Sequence, residues 1–280
     1  MQLTTSGFFP KGRFAEISIT GRSCQLNCPM CGGKWLGGML SVESPEGLLK
    51  LGRKLWREGV RGILISGGFS REGKLPLIPF SGAIGEIKRM GFLVSVHTGP
   101  LNRKEAEELG KIGIDIVDYE LILDEDSIRV SKGLDLTPED YVRGMEYLLS
   151  EPAEVVPHVI LGLPGSKEDK LSHYSDVLRG SGVRRAVLLG FIPTAGTELQ
   201  GEKPPSPEYM RRAAELIGRV SRVSLGCMRA PWLRREYDLK LLGVVDRIAN
   251  PHYSLSLRKV MACCSIPEEM IPLFSDQDRP

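Results

Sequence analysis

Cys24-Gln-Leu-Asn-Cys28-Pro-Met-Cys31 places three thiols within eight residues, directly after the alternating run Ala15-Glu-Ile-Ser-Ile-Thr20. Such alternation predicts a strand, so the cysteines lie on the loop at its carboxyl end. Thiolate is the ligand that soft iron–sulfur cores require, and a loop this tight can wrap three sulfurs around one face of a four-iron cube. No fourth cysteine lies nearby. Structural zinc and electron-transfer clusters fill all four ligand positions, whereas three ligands leave one iron open to a small molecule. The alternatives are a zinc knuckle or a redox thiol pair. A zinc site pairs one CxxC with a second Cys or His pair, and none of the four histidines lies within sixty residues of Cys31. The spacing therefore predicts an iron–sulfur centre with an open iron.

Outward from this loop, Gly32-Gly33-Lys-Trp35-Leu-Gly37-Gly38-Met39 is either backbone that passes close to a ligand or a flexible loop. Ser44-Pro45-Glu46 predicts a helix start, with Leu48, Leu49, Leu51, Leu55 and Trp56 as its apolar stripe and Gly59 as its stop. Gly62-Ile-Leu-Ile65 is a short apolar strand that runs into Ser66-Gly67-Gly68-Phe69. The alternation continues with helices over 83–90, 103–110, 138–149, 167–178 and 207–220 and strands over 92–96, 114–120, 155–161, 185–191 and 222–225. Pro251-His-Tyr-Ser-Leu-Ser-Leu257 is the candidate eighth strand. Strands that alternate with helices pair in parallel, and the expected architecture is a (β/α)8 TIM-type barrel, with sites at the carboxyl ends of its strands. We divide the chain into a barrel over 1–262 and a tail over 263–280, whose polar, Pro-containing end from residue 266 predicts mobility.

The 280 residues, 41% hydrophobic, can bury one sizeable core. Basic and acidic residues number 37 and 35, so no field-driven nucleic-acid or membrane partner is expected. No apolar run approaches a membrane span and no signal peptide is recognisable, which predicts a cytoplasmic protein. Six cysteines are then metal or catalytic ligands rather than disulfides. Asn and Gln together number seven against 26% charged residues, a usage expected of a heat-loving source. Pro204-Pro205-Ser-Pro207 reads as a stiff connector.

CxxxCxxC after a first strand resembles the signature of radical S-adenosylmethionine (SAM) enzymes, of the biotin-synthase and lipoyl-synthase kind. The resemblance implies a barrel of the radical SAM kind in which Cys24, Cys28 and Cys31 hold a 4Fe-4S cluster whose open iron takes the amino and carboxylate groups of SAM. Gly67-Gly68 resembles the glycine pair that offers carbonyls to the SAM amino group, although Phe69 stands where an acidic residue often follows. Leu161-Gly162-Leu163-Pro-Gly165 resembles the stretch on which the family lays the adenine; a plain strand-to-helix turn is compatible with the same residues. Tyr119-Glu120-Leu-Ile-Leu-Asp124 aligns with Tyr-Asn-His-Asn-Leu-Asp of biotin and lipoyl synthases. This implies that Glu120 and Asp124 hold the SAM ribose and that Arg129 pairs with the SAM carboxylate. The structural alternatives are an Asp124 cap on the next turn and a solvated Arg129.

Gly190-Phe-Ile-Pro-Thr-Ala-Gly196-Thr-Glu-Leu199 resembles the Gly-Thr-Pro-Leu loop of biotin synthase, so the likeness runs over 15–257. It fails at one point. Biotin synthase places further cysteines on its second, third and fifth strands for a sacrificial two-iron cluster, and this chain has none between Cys31 and Cys227; Ile65, Val96 and Val156 stand near those places. Cys227, Cys263 and Cys264 remain. They are either small buried apolar groups, with the vicinal pair inert or a redox switch, or ligands of an auxiliary iron–sulfur cluster completed by a serine, His252 or nothing. Adjacent cysteines can both ligate only in a turn. With this set the chain looks most like the archaeal two-protein lipoyl synthases. That likeness implies sulfur insertion into an octanoylated lipoyl carrier protein, a second radical SAM component and a ferredoxin-like electron donor. The other readings are a radical SAM enzyme that rearranges or cleaves a small molecule without sulfur transfer, and a non-catalytic metal module. His97, His158 and His173 carry no motif; His97, at a strand end, either lines the pocket or is a satisfied core or surface histidine.

Overall fold

The computed structural model describes residues 4–165 and 170–274. Eleven strands form one sheet: β1 (Ser6–Phe8), β2 (Phe14–Ser18), β3 (Leu40–Ser41), β4 (Gly62–Ser66), β5 (Leu93–Thr98), β6 (Ile116–Leu121), β7 (Glu154–Leu161), β8 (Arg185–Gly190), β9 (Arg222–Leu225), β10 (Arg247–Ala249) and β11 (Arg258–Val260). The helices between them are α1 (Pro45–Arg57), α2 (Ser81–Arg89), α3 (Arg103–Ile112), α4 (Glu125–Ser127), α5 (Pro138–Leu149), α6 (Leu171–Ser181), α7 (Pro207–Ile217) and α8 (Arg234–Leu241). All pairings are parallel, in the order β11-β1-β10-β9-β8-β7-β6-β5-β4-β2-β3. This is the curled α/β sheet of a TIM-type barrel. Among the described residues no ladder joins its two ends.

Local chemistry sets the boundaries. Ser44 accepts the Gly47 amide and Pro45 opens α1; Thr137 and Asp140 form a capping box on α5, which Pro138 opens. Every residue of β4 and of β8 is buried, as strands covered on both faces require. The predicted helix over 167–178 begins at Leu171, and residues 166–169 lie outside the described residues.

The eighth strand is a correction. Residues 251–257 form no strand; Asn250 takes φ 43°, Pro251 brings no amide hydrogen, and the eighth parallel strand is Arg247–Ala249. β1, three residues long, pairs with both β10 and β11. The tail is a second correction as far as Phe274. Glu268–Phe274 is a 3₁₀ stretch, the Phe274 carbonyl accepts the Met261 amide at 3.1 Å, and its buried ring lies 5.9 Å from that of Phe14 on β2. The tail thus spans the gap between the two ends of the sheet. Residues 275–280 lie outside the described residues. Among the described residues no helix is long and apolar enough to cross a membrane.

Candidate active site

The cysteine loop leaves the carboxyl end of β2 and is held from three sides. The Leu26 amide donates to the Phe69 carbonyl at 2.9 Å, the Met30 amide to the Ser131 carbonyl at 3.1 Å, and Lys34 Nζ to the Ala195 carbonyl at 2.5 Å. Ser131 Oγ in turn donates to the Pro164 carbonyl at 3.0 Å. The loops that follow β2, β4, β6, β7 and β8 therefore meet at one mouth. Gly68 is required here for close approach: a Cβ would stand 1.9 Å from the Ser23 carbonyl oxygen and 2.5 Å from Cys24 Cα. The amide of Gly68 donates to Thr20 Oγ1 at 2.6 Å, so the glycine pair fixes the cysteine loop on β4.

Cys28 and Cys31 bring their sulfurs to 3.5 Å, and the Cys24 thiol faces the Phe69 carbonyl at 3.9 Å. The hydrogen bond from Cys31 lowers the Cys28 thiol to about 6, against burial and with help from the Lys132 charge. Cys31, the donor, is pushed up by that bond and by burial. Lys132 is buried and 2.6 Å from Glu120 Oε2. Burial opposes its charge, but Glu120 and the two thiols raise its pKa, so the site carries a fixed cation beside its thiolates. Two adjoining thiols, a third on the same loop and a neighbouring ammonium are a donor set that fits an anionic iron–sulfur centre.

The other predicted ligands of SAM divide. Glu120 faces the cysteines through Lys132. Asp124 accepts the Ser127 amide at 2.7 Å and caps α4. Arg129 lies in the π-turn Ile128–Lys132, exposes two-thirds of its side chain and pairs with Asp126. Gly162 has φ +73°, and a Cβ there would meet the Pro205 ring at 2.8 Å; Leu163 beside it is buried. Gly67 packs against Thr20 and Leu75.

The second cysteine set comes from two segments at one side of the sheet. Cys227 directly follows β9, and Cys263 and Cys264 follow β11 in a turn closed by the Ile266 amide on the Cys263 carbonyl at 3.4 Å. The pair therefore lies in a turn and not in a strand. Cys227 is accessible, yet burial, followed by the charges of Cys263 and Glu16, pushes its thiol up to about 12. Glu16 lies on β2, two residues before Ser18. The hydrogen bond with Cys263, then burial, raises the Cys264 thiol, and Ser265 Oγ donates to Cys263 Sγ at 3.3 Å. His252 bonds Ser254 through Nδ1 at 2.8 Å, on an exposed turn.

Sequence reading missed the scaffold of this set. Arg229 and Asp238 form an ion pair of 2.8 Å with both side chains fully buried, and Arg229 Nη1 also donates to the Gly226 and Ala249 carbonyls. Arg247 Nη1 donates to the carbonyls of Cys264 at 2.9 Å and Ile266 at 2.5 Å. It also missed a polar group inside the barrel, formed by Ser66, Ser95, His97, Asp118 and His158.

Residues 18–177, more than half the chain, match the family model described as Radical SAM superfamily. No curated protein matches. Among solved structures the chain is similar to methylornithine synthase (PylB), with a TM-score of 0.62 at 13% identity over 94% of this chain and 77% of that one. It is also similar to the FeFe-hydrogenase maturase HydG from Carboxydothermus hydrogenoformans, with a TM-score of 0.64 at 14% identity over 97% and 67%. A third is SuiB of Streptococcus suis bound to S-adenosylmethionine, with a TM-score of 0.56 at 15% identity, where the match covers 77% of this chain and about half, 47%, of that one. At these identities the likeness concerns the fold. Together with the cysteine loop at the end of β2, the family match establishes that the chain is a member of the radical SAM superfamily.

Proposed function

We propose that this radical SAM enzyme inserts sulfur, as one component of a lipoyl synthase that acts with a second radical SAM component on an octanoylated lipoyl carrier protein. A ferredoxin-like protein would supply the electron. The observation that carries this reading is the place of Cys227, directly after β9 at the carboxyl end of the sheet, with Cys263 and Cys264 following β11, all far in sequence from the first cysteines. A cluster that only transfers electrons has no need to open onto the reaction space, whereas a sulfur donor does. Cys24, Cys28 and Cys31 would hold the 4Fe-4S cluster that binds SAM, and the three later cysteines would hold the auxiliary iron–sulfur cluster.

With both groups bound, reductive cleavage of SAM supplies a carbon radical that removes hydrogen from an unactivated carbon, and the hard chemistry belongs to these cofactors. The protein supplies position and charge. Lys132 holds a positive charge beside Cys28 and Cys31, and the loops after β4, β6, β7 and β8 close around the SAM side of the mouth. Glu120 and Asp124 would accept the ribose hydroxyls and Arg129 would turn from Asp126 to the SAM carboxylate.

The experiment is replacement of Cys227, Cys263 and Cys264 together by alanine in anaerobically reconstituted protein. About four irons should be lost, 5′-deoxyadenosine formation should persist, and sulfur insertion into the octanoylated carrier with the second component present should stop. Full iron content, or continued thiolation, would overturn the proposal in favour of radical chemistry on a small molecule without sulfur transfer.

A further inference from the structure

The polar group inside the barrel belongs to neither cysteine set. Ser18 pairs with Ser66, Ser66 Oγ lies 3.1 Å from His97 Nδ1, and His97 is in register with Asp118. His158 stands two residues past Val156, the partner of Asp118, and returns its ring to the same face. One row of the sheet thus gathers two imidazoles and a carboxylate.

Their hydrogen bonds do not close. Asp118 is 1% exposed; its Oδ2 accepts the Ser95 hydroxyl, while its Oδ1 is buried with no hydrogen-bond partner. A buried carboxylate oxygen in that state is costly. Facing it at 3.9 Å is His158 Nε2, too far for a hydrogen bond. His158 Nδ1 lies 3.0 Å from the Val156 carbonyl, which can only accept, so Nδ1 carries the hydrogen. The remaining ring nitrogen, Nε2, faces Asp118 Oδ1 across that gap.

His97 supplies a third donor atom. Its ring packs edge-on against that of His158, with centroids 5.6 Å apart. Ser66 can donate or accept and permits either tautomer. One ligand atom from each of His97, Asp118 and His158 lies within 4.8 Å of the others. Two imidazole nitrogens and a carboxylate oxygen are a donor set for a divalent transition-metal ion. The bond from His158 Nδ1 to a carbonyl is the outer contact that orients a metal-binding histidine. We propose that His97, Asp118 and His158 bind one divalent transition-metal ion inside the barrel, in a site independent of both cysteine sets. Bonds of about 2.0–2.2 Å to zinc would draw the three side chains together by a small rotation and would complete Asp118 Oδ1.

The inference does not rest on sulfur insertion. Reconstituted protein, its cysteines carrying iron, is titrated calorimetrically with zinc chloride alone. One equivalent should bind, and zinc-edge X-ray absorption should show nitrogen and oxygen at about 2.0–2.2 Å without sulfur at about 2.3 Å. Asp118→Asn keeps the shape and an acceptor for Ser95; it should weaken zinc by more than the roughly 10–100-fold that loss of an outer partner costs. His158→Gln should do the same, with iron content unchanged in both. Absence of zinc binding, sulfur ligation, or equal affinity in Asp118→Asn would overturn the site. If either variant fails to fold, the absorption spectrum of the unaltered protein decides.

Discussion

The two cysteine sets are built by opposite routes. Cys24, Cys28 and Cys31 share one loop, and the contacts that hold it are backbone bonds to Phe69 and Ser131 together with the close seat on Gly68. Cys227 lies 36 residues before Cys263, on a separate segment, and the two meet only because β9, β10, β1 and β11 are laid side by side. Their carbonyls and neighbours are pinned by buried arginines: Arg229 at Gly226 and Ala249, Arg247 at Cys264 and Ile266. A contiguous site carries its geometry in its own loop. An assembled site borrows geometry from the scaffold and fails with it.

The largest effect separates the sets by chemistry. Replacing Cys24, Cys28 and Cys31 together by alanine should reduce 5′-deoxyadenosine formation under strong reductant to background, since no other residues carry the SAM-binding cluster. Circular dichroism should be unchanged, because the backbone bonds that hold the loop remain. Continued SAM cleavage would break the assignment of the first set.

The scaffold is tested next. Arg229→Met leaves the Asp238 carboxylate fully buried without its partner, and breaking a buried pair in this way costs about 3–5 kcal/mol. Denaturant unfolding of the reconstituted protein should report that loss, and iron should leave the second set before the first. A loss below about 1 kcal/mol, the worth of a surface pair, would show that the arginine does not hold the assembled site.

The same contrast explains what could be read from the residues. The α/β alternation was legible because the strands are continuous apolar runs; α5 spans Pro138–Leu149, the range read from the sequence, and Thr137 caps it. The first cysteine loop was legible as a candidate site because its spacing is local, and the family match covers it. The eighth strand was not, since Arg247 looks solvated in sequence and becomes buried only when the carbonyls of Cys264 and Ile266, 17 and 19 residues away, receive its guanidinium. Lys132 was missed for the same reason: its partners Glu120 and Cys28 are brought to it by β6 and β2. His97, Asp118 and His158 sit on three strands with no common motif, and only the parallel register aligns them.

The smallest effect bears on the boundary between scaffold and ligand within the first site. Asp124 was read as a ribose ligand and caps α4 through the Ser127 amide. The two duties can be separated, because serine is as good a cap as aspartate but brings no charge. Asp124→Ser should therefore leave unfolding free energy nearly unchanged while SAM affinity falls about ten- to a hundredfold, the equivalent of roughly 1.5–3 kcal/mol for a charge-assisted hydrogen bond. Asp124→Ala should lose the same affinity and, in addition, about 0.5–2 kcal/mol of stability from the missing cap. Equilibrium binding of SAM and denaturant titration on the two variants give the four numbers needed. Unchanged SAM binding in the serine variant would make Asp124 a capping residue alone, and the ribose would then have to be held by Glu120, which Lys132 already engages at 2.6 Å.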